Sequence, residues 1–295
     1  MNFDRSLDAP AGIEVRLSPL VSRVLAPNPG PFTFRGTGVY IVGTGRHVAV
    51  IDPGPALAGH IESLKRVLGS RQISHILVTH THRDHSPAAQ ALKVWSGAKT
   101  HGLRLQARTP AAHSQEGMVD EAHDHDFVPD IAVKNGMWIE GDGFALECVA
   151  TPGHTANHIC YALLQEQALF SGDHVMGWST SVIAPPDGHM GDYLASLERL
   201  AARDERILYP THGSPIANPK EWLGQLIAHR RMRESQIMAA LAGGALTVPQ
   251  LAEQLYPGIE PALRPAASQQ IAAHLEHLQS GGRAAPQNGR WRLRT

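Results

Sequence analysis

The 295-residue chain is 42% hydrophobic and carries 26 Lys and Arg against 27 Asp and Glu, a formal net charge of -1, which excludes wholesale disorder and a surface made entirely for polyanions. No run reaches the roughly 18 apolar residues that span a bilayer. The opening MNFDRSLDAPAG has neither the basic nor the apolar region of a secretory leader, so a cytoplasmic protein with no membrane partner is expected.

IEVRLSP, FTFRGTGVYIVG and RHVAVIDPG read as strands, rich in Val, Ile and Thr and punctuated by Gly and Pro. Ile61, Leu64, Val67 and Leu68 recur at helical spacing and predict a helix from Ala56 to Leu68. SHILVTH is too short an apolar run for a helix and reads as a buried strand. A helix over Ser86 to Trp95 and a short strand near Lys99 follow. Gly102 to Asp130 is polar, His-rich and weakly periodic, an excursion or lid. GMWIEG, FALECVAT, HICYALL and ALFSG bring the strand pattern back. The order predicts an α+β fold of two packed sheets with helices outside.

From about Pro219 the character changes. WLGQLIAHRRMRESQIMAAL is a long helix stopped by Gly243-Gly244, and TVPQLAEQLY a short one with Thr247 as its N-cap. ASQQIAAHLEHLQSGG gives another helix, and RAAPQNGRWRLRT a hairpin about Asn-Gly, together a winged-helix pattern. Nine Lys and Arg against five Asp and Glu from Lys220 onward leave the first 219 residues at -5. Two domains are expected, residues 1–218 and residues 219–295.

The chemistry lies in His80-Thr81-His82-Arg83-Asp84-His85, directly after an apolar strand. Four potential ligands in six residues make a compact claw, with His80 and His82 on one side of an extended stretch. Imidazole and carboxylate suit Zn²⁺, Fe or Mn²⁺, with zinc the first choice, and 18 histidines among so few aromatics point the same way. Cys148 and Cys160, in no CxxC pattern, read as two buried thiols. Three further donors each follow a strand, in Gly-containing turns: His154 in TPGHT, Asp173 in SGD and His212 in PTHG.

HxHxDH, TPGHT, SGD and PTHG, in that order, resemble the metallo-β-lactamase superfamily from about Ile13 to Asn218. The resemblance implies a four-layer αββα sandwich and two divalent metal ions at one edge of it. One ion would be held by His80, His82 and His154, the other by Asp84, His85 and His212, with Asp173 bridging. Asp52, in AVIDPGP, would support the ligands from behind. The second half, HTANHICYALLQEQALFSGDHVMGWSTSVIAPPDGHMGDYLASLERL with HRRMRESQI and the winged-helix-like tail, resembles the β-lactamase-like protein 2 group. Glyoxalase II is more distantly similar, but its glutathione-binding C-terminus has no clear counterpart.

These residues imply a hydrolase in which a hydroxide bridging two ions attacks the substrate, Asp173 holding the ions together and Asp84 also orienting the water. No GxSxG elbow or GxxxxGK loop offers a different chemistry. The preferred substrate is a small-molecule carboxylic ester or thioester. A single-stranded RNA phosphodiesterase, with Arg283, Arg290, Arg292 and Arg294 tracking phosphates, is the alternative. A non-catalytic nucleic-acid-binding regulator and an exported β-lactam hydrolase rank lower. Trp178, Ser179 and Tyr193 are candidates for touching substrate. His113, His123, Asp124, His125 and Asp126 read as a solvated loop rather than a third metal site. The C-terminal unit is expected to cover one side of the cleft or to join two copies in a homodimer.

Overall fold

The computed structural model describes residues 1–104 and 123–294. A first sheet contains β1 (Glu14–Arg16), β2 (Val21–Leu25), β3 (Gly38–Val42), β4 (His47–Ile51), β5 (Gln72–Leu77), β6 (Lys99–Gly102) and β7 (Ile131–Ala132), in that spatial order. Strands β1 to β4 pair antiparallel and β4 to β7 parallel. The parallel part follows from its connections, because α1 (Ala58–Leu68) and α2 (Ala88–Ser96) carry the chain back over one face.

A second sheet contains β8 (Trp138–Gly141), β9 (Phe144–Ala150), β10 (Ile159–Leu163), β11 (Ala168–Gly172) and β12 (Ile207–Pro210). Helix α3 (Met190–Ala201) makes its one crossover, so only β11 and β12 are parallel. The period-two alternation of each strand builds the layers. Tyr40, Val42, Ala49 and Ile51 meet Leu146, Cys148, Ile159 and Tyr161 between the sheets. Val39, Ile41, Val48 and Val50 point the other way, to α1 and α2. Val149, Cys160 and Ala162 point to α3 and α4 (Pro219–Ala242). The result is the αββα sandwich. Truncating a fully buried core residue such as Leu146 to Ala is worth about 2–5 kcal/mol.

Cys148 and Cys160 are both buried and free, on opposite faces of the second sheet. Two expectations need adjusting. FTFRGTGVYIVG becomes a strand only from Gly38, because Phe34 sits at φ 55°, outside the range a strand allows. VSRVL, whose apolar run is broken by Ser22 and Arg23, is β2. Its Arg23 is buried and satisfied by Gly213 O at 2.8 Å.

The C-terminal unit consists of α4, α5 (Val248–Leu255), α6 (Arg264–Ser280) and the hairpin β13 (Ala284–Gln287) and β14 (Arg290–Leu293). Asn288 and Gly289 both take positive φ, as the hairpin turn requires. Thr247 caps α5 in a reciprocal box with Gln250. Leu251, Ile271, Leu275, Leu278 and Trp291 form this unit's own core. Helix α6 is enclosed on a second side too, since Ala273 belongs to the core around α3. Among the described residues no helix is long and apolar enough to cross a membrane.

Candidate metal centre

Five strand ends meet at one edge of the sandwich. Asp52 follows β4, the segment Thr79 to His85 follows β5, His154 follows β9, Asp173 follows β11 and His212 follows β12. The ligating atoms of His80, His82 and His154 lie within 4.8 Å of one another, as do those of Asp84, His85 and His212, and those of His80, His85 and Asp173. Gly153, at φ 144°, lets the His154 turn pass against the backbone of α3, where a Cβ would lie 2.3 Å from the Tyr193 Cα.

Hydrogen bonds fix which ring nitrogen faces inward. His85 donates from Nδ1 to Asp52 Oδ2 at 2.9 Å, His154 from Nδ1 to Val182 O at 2.6 Å, and His212 from Nδ1 to Gly36 O at 3.1 Å. These oxygens only accept, so each Nδ1 carries the hydrogen. The Thr79 hydroxyl gives its single hydrogen to Asp52 Oδ2, which leaves its oxygen to accept from His80 Nδ1 at 3.1 Å. Four imidazoles therefore turn Nε2 into the cluster, while His82 presents Nδ1, 2.9 Å from His80 Nε2 and 3.2 Å from His154 Nε2.

Electrostatics divide the cluster in two. Burial, reinforced by the neighbouring imidazoles, holds His80 and His82 well below the usual histidine range; burial also lowers His154. Burial opposes charge at His85 and His212 as well, but Asp84 and Asp173 outweigh it. They raise His85 well above its ordinary value and His212 to about 10. Asp84 and Asp173 are held well below the carboxylate range by His85 and His212, despite the cost of burying them.

The donors present fit a pair of divalent cations. His85 Nε2, His212 Nε2 and Asp173 Oδ1 are buried without a well-directed hydrogen bond, although carboxylate oxygens stand 3.0 to 3.5 Å from the two imidazoles. Inward nitrogen lone pairs on one side, and carboxylates that draw positive charge onto His85 and His212 on the other, form a setting that divalent cations would suit, with the histidine rings anchored from outside.

The cluster floors a cavity of about 400 Å³. Phe32, Met176, Val182, Ala184 and Ala266 make its apolar walls, while Thr33, Arg83, His123, Asp187 and Gln269 add polar groups. Ala266 and Gln269 come from α6, so the C-terminal unit covers one side of the cleft. Trp178, Ser179 and Tyr193, expected at the substrate, are not among the residues that line this cavity. Trp178 stacks on Phe34 at 4.9 Å and abuts Gly213, Ser179 hydrogen-bonds within its own loop, and Tyr193 is wholly buried against His174. The loop reading holds for His125 and Asp126, which are exposed, but not for His123. His123 is buried, with Nε2 3.5 Å from Asp187 Oδ2 and its ring 4.8 Å from that of His82. His113 lies outside the described residues. Asp187 was missed; the only sequence signal was an acid in the Pro-Gly turn APPDGH.

A family model described as the metallo-beta-lactamase superfamily matches residues 33–212. The chain belongs to the metallo-beta-lactamase superfamily. A second model, the beta-lactamase-associated winged helix domain, matches residues 247–291. The beta-lactamase-like protein 2 homolog of Caenorhabditis elegans is 33% identical over 271 residues, covering 90% of this chain and 86% of that one. An atrochrysone carboxyl ACP thioesterase of Claviceps purpurea is 32% identical over 251 residues, covering 82% of this chain and 73% of that one. In fold, a metallo-beta-lactamase family protein of Thermus thermophilus superposes with a TM-score of 0.79 over 95% of this chain and 100% of that one, at 24% identity. The protein is thus a superfamily metallo-hydrolase whose His and Asp cluster is suited to divalent metal ions.

Proposed function

We propose that the protein hydrolyses a small-molecule carboxylic thioester, or the related carboxylic ester. Two divalent ions would be held by His80, His82 and His154 and by Asp84, His85 and His212, with Asp173 between them. One observation carries this reading: inward-facing imidazole nitrogens and ionised carboxylates floor a mainly apolar cavity of about 400 Å³. Bound there, the ions would supply Lewis acidity and lower the pKa of a water toward about 7. Zinc is the first choice; iron and manganese suit the same donors.

The chain's own part is to position and to exclude. Asp52 and the carbonyls of Val182 and Gly36 lock the rings of His85, His154 and His212. The side chain of Asp84 is 25% exposed against 11% for Asp173, and with metal bound it would be placed to accept a hydrogen bond from the attacking water. Phe32, Met176, Val182, Ala184 and Ala266 take the acyl part and strip water from it. The thioesterase name of the Claviceps purpurea relative favours a thioester over an oxygen ester.

An RNA phosphodiester suits this cavity less well. Its walls are mainly apolar, and Arg83 is the one guanidinium on its described lining that could hold a phosphate away from the ligand cluster. Duplex reading by the winged helix is disfavoured as well. Helix α6, which such a domain lays in the major groove, is packed on α3 and faces the cavity.

Hydrolysis of a chromogenic acyl thioester is the test. Turnover that stops with a chelator, returns with added Zn²⁺ or Mn²⁺ and is abolished in His82→Ala is expected. Metal-dependent cleavage of single-stranded RNA with no thioester turnover would overturn the reading.

A further inference from the structure

Three consecutive residues in the chain between β11 and α3 are held by three different parts of the protein. Ser181 O accepts from the Arg230 guanidinium on α4. Val182 O accepts from Nδ1 of His154 at 2.6 Å. Ile183 N donates to Gln270 Oε1 on α6 at 3.2 Å. The carbonyl of Val182 and the N–H of Ile183 belong to one peptide unit. That unit is planar and stiff, so fixing its N–H also fixes the direction of its carbonyl. An N–H can be satisfied only by an acceptor, which sets the orientation of the Gln270 amide.

We propose that Gln270, assisted by Arg230, is a positioning residue for His154, so that the C-terminal unit helps build the metal centre. The proposal rests on the reading of His154 as a ligand. The path is short and almost sealed from solvent: Gln270 is 7% exposed, Ile183 0%, His154 9% and Arg230 1%. Each hydrogen bond polarises the next across the shared peptide. By accepting from the Ile183 N–H, Gln270 pushes electron density toward Val182 O, which holds the hydrogen on His154 Nδ1 and leaves Nε2 bare toward the cluster. Arg230 fixes the preceding peptide. Its guanidinium lies over the Tyr193 ring at 5.1 Å, and Ser181 O is its one hydrogen-bond partner among the described residues. The same segment begins at Asp173 and carries Met176, Val182 and Ala184 on the cavity wall. Trp222 of α4 donates to Met176 O at 3.0 Å and anchors its other end.

The test is cobalt(II) binding to the full chain, titrated one equivalent at a time against a chelator of known affinity. Gln270→Met keeps the size of the side chain but removes the acceptor, and Gln270→Glu restores an acceptor oxygen. Partners that orient a ligand from outside typically contribute about 10–100-fold to metal affinity. Gln270→Met is expected to weaken one of two cobalt equivalents by about that factor and to alter its visible spectrum, with the other equivalent unchanged. Gln270→Glu, and Arg230→Lys beside Arg230→Met, are expected to recover most of the loss. Equal weakening of both equivalents, or wild-type binding by Gln270→Met, overturns the proposal. His154→Ala separates the two readings: if it keeps both equivalents at full affinity, the assignment of His154 as a ligand is what fails.

Discussion

The carboxylate of Asp52 accepts from Nδ1 of His85 at 2.9 Å, and neither side chain reaches solvent. The same carboxylate takes the amide and hydroxyl of Thr79, both at 2.8 Å, and the hydroxyl of Thr211 at 2.9 Å. Donors from the ends of β5 and β12 and from the HxHxDH turn therefore converge on one residue. Stranding buried donors costs about 1–3 kcal/mol each. Asp52→Ala is expected to destabilise the protein by about 3 kcal/mol and to weaken metal binding on the Asp84, His85 and His212 side first. Urea unfolding of metal-free protein and metal analysis of the loaded protein check the two parts.

Ala266 reaches the cavity from α6. Enlarging it should shorten the acyl group that fits without disturbing the metal ligands. Ala266→Phe is expected to lower kcat/KM for bulky aromatic acyl thioesters by about tenfold or more, with acetyl thioester turnover and metal content close to wild type. A panel of acyl thioesters of graded size measures this.

Burial pushes the thiols of Cys148 and Cys160 up to about 12. Thiolate is the reactive form, so both stay protonated at pH 8 and unreactive while the fold is intact. Iodoacetamide at pH 8 is expected to label neither residue in native protein and both in denaturant, read by mass spectrometry.

His229, half-buried on α4, is lowered to about 4 by burial and by Arg230 and Arg233. Its folded value lies below the unfolded 6.5, so the folded state binds fewer protons than the unfolded one between those limits. Stability is therefore full above pH 6.5 and is lost as pH falls toward 4. His229→Gln removes this contribution. Its melting temperature relative to wild type is expected to stay level from pH 7.5 to about 6.5 and to rise as pH falls from there to 4.5, which thermal scans at fixed ionic strength measure.

The strands and helices that carry the site were legible because their signals are local. The Asn-Gly turn, the Thr247 cap and the apolar alternation of FALECVAT each act within a few residues. Strand β2 lacks a local signal because Ser22 and Arg23 interrupt its apolar run. Both are buried, and the partner that satisfies the Arg23 charge, Gly213 O, lies 190 residues away. Phe34 misled in the other direction: a β-favouring aromatic adopts a left-handed turn, where it stacks on Trp178.

The amino-acid order by itself singled out the His and Asp residues that the fold brings together, because donor chemistry is written in residue type and in short spacings such as HxHxDH. It also pointed to a sandwich followed by a winged-helix pattern, through hydrophobic period and turn signals. Only the tertiary structure decided what surrounds those donors. It put His123 and Asp187 on the cavity wall, left Trp178 and Tyr193 off it, and brought α6 against the cavity. These relations depend on packing between segments far apart in the chain, such as Ile183 and Gln270, 87 residues from one another. Their contact is set by how the buried faces of α3, α4 and α6 fit together, and no local pattern of residues encodes that fit.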